Sequence, residues 1–158
     1  VGKSGDKNQM KGDMFRGQHL YTVDSKGRVS IPAKLRKQIS PEANDSFVMT
    51  KGGAMCIDVY PMDQWNILED KLKSLNPYDS THAKFIRMIL QFANEDSLDA
   101  QSRIMIPPLL LDYAGIKKDV LVLGALKKIE LWNPDVYEKY IKESGETFEE
   151  IAQKVMTM

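Results

Sequence analysis

A chain of 158 residues that is 42% hydrophobic and 28% charged has a globular composition and the length of one ordinary domain or two small fused ones. Its lone cysteine, Cys56, excludes an intrachain disulfide and a cysteine-only zinc site, and no run approaches the roughly 20 apolar residues of a membrane span. The net charge of zero conceals an uneven distribution: residues 14–51 hold seven Lys/Arg against three Asp/Glu, and residues 52–158 hold 12 against 17. A locally basic half attracts phosphates even in a neutral chain.

Residues 1–13 are polar, contain glycine and lack the apolar centre of a signal peptide, so they read as an expression-tag remnant ahead of a natural start at Met14. Leu20–Val23 is β-prone, Ser25-Lys26-Gly27 carries turn chemistry, and Val29-Ser30-Ile31 is a second short strand ended by Pro32. Ala33 to Ile39 makes a helix of about two turns with Leu35 and Ile39 inward. Phe47–Met49 and Cys56–Tyr60 flank Gly52-Gly53 as a hairpin. Pro61 and Asp63 open a helix whose Trp65, Leu68, Leu72 and Leu75 share a face. Asn76-Pro77-Tyr78-Asp79 breaks the chain, and Ser80 caps a helix carrying Phe85, Ile89 and Phe92.

The pattern then repeats. A strand runs into Asp99, another covers Ile104–Ile106, and a helix from Leu109 to Ala114 closes on Gly115. Val120–Leu123 and Lys128–Trp132 form a hairpin, followed by a helix from Asp135 to Lys142 with a Val136, Tyr137, Tyr140 and Ile141 stripe. Thr147 and Glu150 form a capping-box pattern before Ile151 and Val155.

The repetition extends to individual residues. Asp24-Ser-Lys-Gly-Arg28-Val-Ser-Ile31-Pro32 recurs as Asp99-Ala-Gln-Ser-Arg103-Ile-Met-Ile106-Pro107 at an offset of 75. Met49, Gly52, Ile57 and Tyr60 align with Leu121, Gly124, Ile129 and Trp132 at an offset of 72. Two modules are expected, residues 14–77 and 78–158, of class α+β with a small barrel-like sheet and peripheral helices. A module of roughly 60 residues buries only about 60% of its unfolded surface, so the two should share a core or oligomerise.

The Asp-x-x-x-Arg spacing brings both side chains together across a tight turn, where the carboxylate accepts turn N–H groups and pairs with the guanidinium. Asp24, Asp99 and Gly27 therefore read as turn-pinning residues. Arg is also the side chain best shaped for bidentate contact with phosphate or a guanine edge. Arg28 lies among Lys26, Lys34, Arg36 and Lys37, with Arg16 further off. Copy two keeps Arg103 but has Gln101, Leu109, Leu111 and Asp112 in place of Lys26, Lys34, Arg36 and Lys37. If DNA is bound, copy one dominates and Arg103 is a lesser contact.

The stretch MFRGQHLYTVDSKGRVSIPAKLR at Met14–Arg36, with DAQSRIMIP at Asp99–Pro107, resembles the two repeats of the MraZ family, within the AbrB/SpoVT-like swapped-hairpin barrel group. The similarity runs from Met14 to about Met158. It implies two tandem AbrB/SpoVT-like repeats forming a swapped-hairpin, double-split β-barrel. It also implies a cytoplasmic, nucleoid-associated bacterial transcriptional regulator of the division and cell wall gene cluster. Such proteins bind short direct repeats in double-stranded DNA near their own promoter and assemble into ring-shaped homo-oligomers. The family's Asp and Arg map to Asp24 and Arg28, and to Asp99 and Arg103; Lys26, Lys34, Arg36, Lys37 and Arg16 join them on electrostatic grounds alone.

Two other classes compete. An enzyme is disfavoured because His19 and His82 have no Ser or Cys at nucleophile spacing, Asp63 and Asp135 stand at helix starts, and no phosphate-binding loop, metal cluster or cofactor motif occurs. An oligomeric scaffold or protein-interaction module without DNA readout is the stronger rival, since nine methionines, Trp65, Trp132 and the acidic C-terminal helix could line subunit contacts. Core packing and a solvated face are the plainer accounts of these. Cys56, between Met55 and Ile57, reads as a buried small hydrophobe.

Overall fold

The computed structural model describes residues 14–157; the expectation for residues 1–13 lies outside them. In chain order the elements are β1 (Gln18–Thr22), β2 (Arg28–Ser30), α1 (Ala33–Arg36), a 3-10 turn (Pro41–Ala43), β3 (Ser46–Lys51), β4 (Ile57–Pro61), α2 (Met62–Lys73) and α3 (Ser80–Leu90). Then come β5 (Asn94–Ser97), β6 (Arg103–Met105), α4 (Pro108–Ala114), β7 (Asp119–Ala125), β8 (Lys128–Trp132), α5 (Pro134–Lys142) and α6 (Phe148–Met156).

The strands form a six-stranded antiparallel sheet in the order β1-β7-β8-β4-β3-β5 and a two-stranded ladder of β2 with β6. The hairpins β3–β4 and β7–β8 are local and meet through β4 and β8. The strands that open each repeat are exchanged: β1 adds to repeat two's hairpin through β7, and β5 adds to repeat one's through β3. Each repeat thus supplies one edge of the other's sheet, and neither hairpin completes itself.

That exchange explains why the main core draws on both repeats, beside a smaller cluster of Cys56, Leu121 and Trp132. Val29, Ile31, Leu35, Phe47, Met49, Ile57 and Val59 pack in one cluster with Ile104, Ile106, Leu110, Val120, Val122, Ile129 and Leu131. Inward residues alternate along β3 and β7 as the two-residue strand period requires. At roughly 25 cal/mol per Å² of apolar surface, residues buried this completely dominate the stability.

The ladder registers correct one alignment. Val48 pairs with Tyr60, and Leu121 pairs with Trp132. Since Tyr60 corresponds to Trp132, Val48 corresponds to Leu121, and Met49 corresponds to Val122 rather than to Leu121. The physical reason lies in the hairpin loops. Five residues separate Lys51 from Ile57, whereas Leu126 and Lys127 alone join Ala125 to Lys128, so the difference falls partly between the strands. Burial agrees, because Met49 and Val122 are both fully buried.

Two helix expectations also change. Asp79, not Ser80, caps α3, its Oδ1 accepting from the backbone N–H of Thr81 at 2.9 Å and of His82 at 3.0 Å. The shorter Ser80 side chain lies inside the first turn. The helix expected to reach Ile39 ends at Arg36, and Gln38 and Ile39 continue with three-residue turns that donate to Leu35 and Arg36. Leu35 and Ile39 are nevertheless buried as expected. Among the described residues, no helix is long and apolar enough to cross a membrane.

Candidate nucleic-acid interface

Each signature turn is organised by its aspartate. Asp24 Oδ1 accepts from the backbone N–H of Lys26 and of Arg28, both at 2.9 Å, while Oδ2 accepts from Arg28 Nε at 2.6 Å. Asp99 repeats this with Gln101 N–H at 2.8 Å, Arg103 N–H at 2.9 Å and Arg103 Nε at 2.9 Å. Both carboxyls sit below the usual carboxylate range, chiefly because the Arg28 and Arg103 backbone N–H groups bind the ionised form. One oxygen therefore closes the turn and the other orients the guanidinium.

The third residue of each turn is left-handed, Gly27 at φ +81° and Ser102 at φ 60°. Glycine adopts this conformation freely, and a serine there is strained. Each such residue also clasps the opposite repeat: Gly27 carbonyl accepts from Ile106 N–H at 2.8 Å, and Ser102 carbonyl accepts from Ile31 N–H at 3.0 Å. Together with the β2–β6 ladder, these bonds bring both turns into one patch. Arg103 Nη1 stands 3.7 Å from Asp24 Oδ2, so the two Asp–Arg pairs touch.

The Arg28 and Arg103 side chains are 28% and 24% exposed. Among the described residues, Arg28 makes its side-chain hydrogen bond to Asp24 through Nε, which leaves its terminal amino groups without one. Two oriented guanidinium groups on neighbouring turns can grip a planar or tetrahedral anion, or a guanine edge. Lys26 stands exposed on the first turn.

The remaining predicted residues do not join this patch as one set. Arg36 braces it: its Nε donates to Ile31 carbonyl at 3.1 Å and its Nη1 to Ser102 Oγ at 2.9 Å, so its guanidinium holds the second turn in place. Arg16, Lys34 and Lys37 line a separate cleft of about 450 Å³ with Gly17, Gln18, His19 and Gln38. Ser102 and the bracing role of Arg36 were missed from sequence. The alignment of Ser102 with Gly27 was the available signal for the former.

The groups that could have suggested an enzyme are accounted for structurally. His82 Nδ1 accepts from Asn76 N–H at 3.1 Å, closing the link into α3. Cys56, Asp58 and Glu130 come close enough to hold a metal ion, but Lys128 Nζ already sits 2.9 Å from Asp58 and 3.3 Å from Glu130. Burial drives the Cys56 thiol up to about 12, with the Asp58 and Glu130 charges adding to it, so it is an inert side chain.

The MraZ protein family model matches residues 14–88 and 89–157, one match for each repeat. A transcriptional regulator MraZ of Natranaerobius thermophilus is 40% identical over 143 residues, covering 90% of this chain and 97% of the relative. One from Caldanaerobacter subterraneus subsp. tengcongensis is 42% identical over 140 residues, covering 89% and 95%. Another from Clostridium tetani is 39% identical over 142 residues, covering 90% and 96%. With two tandem repeats matched along the described length and relatives this close, the chain belongs to the MraZ family, a family of transcriptional regulators and not of enzymes.

Proposed function

We propose that this chain regulates transcription by binding double-stranded DNA directly, at short promoter-proximal direct repeats, through the joined signature turns. In this reading Arg28 is the principal contact, Lys26 and Arg103 flank it, and Asp24, Gly27 and Asp99 hold the turns. The observation that carries it is the union of two aspartate-oriented arginines in one exposed patch. The family likeness extends the reading to a cytoplasmic, nucleoid-associated protein acting on the division and cell wall genes. It also extends it to the two ladders being parts of one closed swapped-hairpin barrel. In the same reading the first module ends near residue 77, in the Asn76–Asp79 link, ahead of the junction between the two family matches at residues 88 and 89.

A single patch of this size binds weakly, so affinity is assigned to a ring-shaped homo-oligomer in which several patches engage successive repeats. Exposed apolar side chains on the outer helices support such assembly: Phe85 and Met88 on α3, Tyr140 and Ile141 on α5, Phe148 and Met156 on α6. Arg28→Ala tests the reading. In a gel-shift titration with DNA selected from a genomic library, it should abolish specific binding while sedimentation shows the same assembly. Arg103→Ala should weaken binding less, and unchanged binding by Arg28→Ala would overturn the assignment. Each bidentate pairing with a base edge is worth about 1–3 kcal/mol of discrimination.

A further inference from the structure

The basic cleft belongs to repeat one. In repeat one, Arg16 and His19 on the chain entering and forming β1 face Lys34, Lys37 and Gln38 on and after α1. Among the described residues, none of these cations has a carboxylate within salt-bridge distance. Gly124 makes the approach possible: a Cβ there would lie 2.4 Å from the Arg16 backbone nitrogen.

At the 75-residue offset, the matching positions in repeat two are Gln91, Phe92, Asn94, Leu109, Asp112 and Tyr113. No cation remains among them, and two aromatic rings stand where Gly17 and Gln38 leave space. Lys51 Nζ, from the strand corresponding to β7, lies over both rings, 4.1 Å from the Phe92 centroid and 4.7 Å from that of Tyr113. Tyr113 also donates its hydroxyl to Gly52 carbonyl at 2.9 Å. Repeat two thus closes with aromatic rings the space that repeat one leaves open and lines with positive charge.

We propose that the repeat-one cleft formed by Arg16, His19, Lys34, Lys37 and Gln38 holds the phosphodiester backbone of the bound duplex. This separates backbone grip from the base reading assigned to Arg28. The inference rests on the DNA-binding reading above. Three unpartnered cations beside a polar cleft suit a flexible row of phosphates, whereas Arg28, locked by Asp24, suits a fixed base edge. Because only one of two pseudo-equivalent clefts is open, each protomer sits on the duplex with one polarity. A symmetric pair of signature turns alone would not distinguish the two orientations.

The test uses the full chain with a random-sequence duplex and a duplex selected from genomic DNA, titrated across a range of salt. Two variants probe the cleft: Arg16→Gln/Lys34→Gln/Lys37→Gln removes its charge, and Gln38→Tyr fills it as Tyr113 does in repeat two without changing charge. A remote triple, Lys71→Gln/Lys84→Gln/Lys139→Gln, matches the first in charge. Both cleft variants should weaken both duplexes alike, about tenfold or more, with the selected-to-random ratio preserved. For the triple, the slope of log affinity against log salt should shrink by about 0.9 for each phosphate that the protein no longer neutralises. Wild-type affinity for Gln38→Tyr, or a cleft triple that behaves like the remote triple, would overturn the proposal. So would loss of the selected-to-random ratio, since that assigns the cleft to base reading. If the wild-type chain binds neither duplex, the DNA-binding reading itself falls.

Discussion

The two repeats share the signature turn, the ladder strand and the hairpin, and they differ in three places. Repeat one has Gly27 in the left-handed turn position and repeat two has Ser102. Repeat one has an open basic cleft, and repeat two has Phe92 and Tyr113 under Lys51. At the centre, Asp58 and Glu130 are direct cross-strand partners on β4 and β8, with Lys128 beside them where repeat one has Cys56. The third case shows why identical charged residues are unfavourable at this position. Any residue beside a two-fold-like axis meets its own equivalent, and two carboxylates in that position repel unless one repeat supplies a cation.

The largest expected effect breaks the comparison at that centre. Asp58 is 5% exposed, and burial raises its carboxyl pKa against the lowering pull of Lys128. Burial disfavours the Lys128 ammonium, but the Asp58 charge and hydrogen bond outweigh it and leave the group more basic than an ordinary lysine. Lys128→Met would leave two facing carboxylates with one cation fewer. Chemical denaturation should show a loss of about 3 kcal/mol near neutral pH, in the lower range for breaking a buried pair because Lys128 is partly exposed. The sign with pH follows from the raised folded-state pKa. A carboxyl with a raised pKa gives its full stabilisation below its unfolded value and loses it as pH rises through the folded value. The variant should therefore regain stability in acid, and Lys128→Met/Asp58→Asn should flatten that dependence. A pH-independent loss would assign Lys128 to packing alone.

Much of this molecule was legible in its sequence, because the signals are local. The Asp24–Arg28 and Asp99–Arg103 turns, both hairpins, and Gly115 as a left-handed helix end at φ 66° follow from spacing and turn chemistry. The exchange of β1 and β5 is non-local, and no periodicity within β1 names Leu121 as the partner of Leu20. The same limit applied at the site. Arg28, Lys34, Arg36 and Lys37 form one basic run in the chain. The turn of α1 then sends Lys34 and Lys37 to the cleft and Arg36 to Ser102. Charge counting located the basic half and could not divide it.

A smaller effect is expected at the first left-handed position. Gly27→Ala places a Cβ 3.0 Å from the carbonyl of Ile106, the residue whose N–H joins the two repeats, and forces alanine to φ +81°. Left-handed strain costs about 1–2 kcal/mol per residue, so thermal melts should show a loss of that order. The perturbation also reaches Arg28, one residue on, so DNA affinity should fall more than stability alone explains. A variant as stable as wild type would remove the conformational argument for glycine here.

The smallest effect is expected at the matching position, and it decides what Ser102 contributes. Ser102→Gly relieves a left-handed serine, a gain of about 1 kcal/mol, partly offset by the greater freedom glycine gives the unfolded chain. It also removes the hydroxyl that accepts from Arg36 Nη1 at 2.9 Å, a side-chain hydrogen bond from Arg36 to the opposite turn. A hydrogen bond to a charged group is worth more than a neutral one, but exposure reduces this one to about 1 kcal/mol. The two contributions should nearly cancel, leaving stability within about 0.5 kcal/mol of wild type. In an Arg36→Ala background only the strain remains, so Ser102→Gly should there stabilise the chain measurably. Equal effects in both backgrounds would mean that Arg36 does not brace the second turn. The asymmetry between Gly27 and Ser102 would then reflect backbone strain alone, with no contribution from Arg36 to offset it.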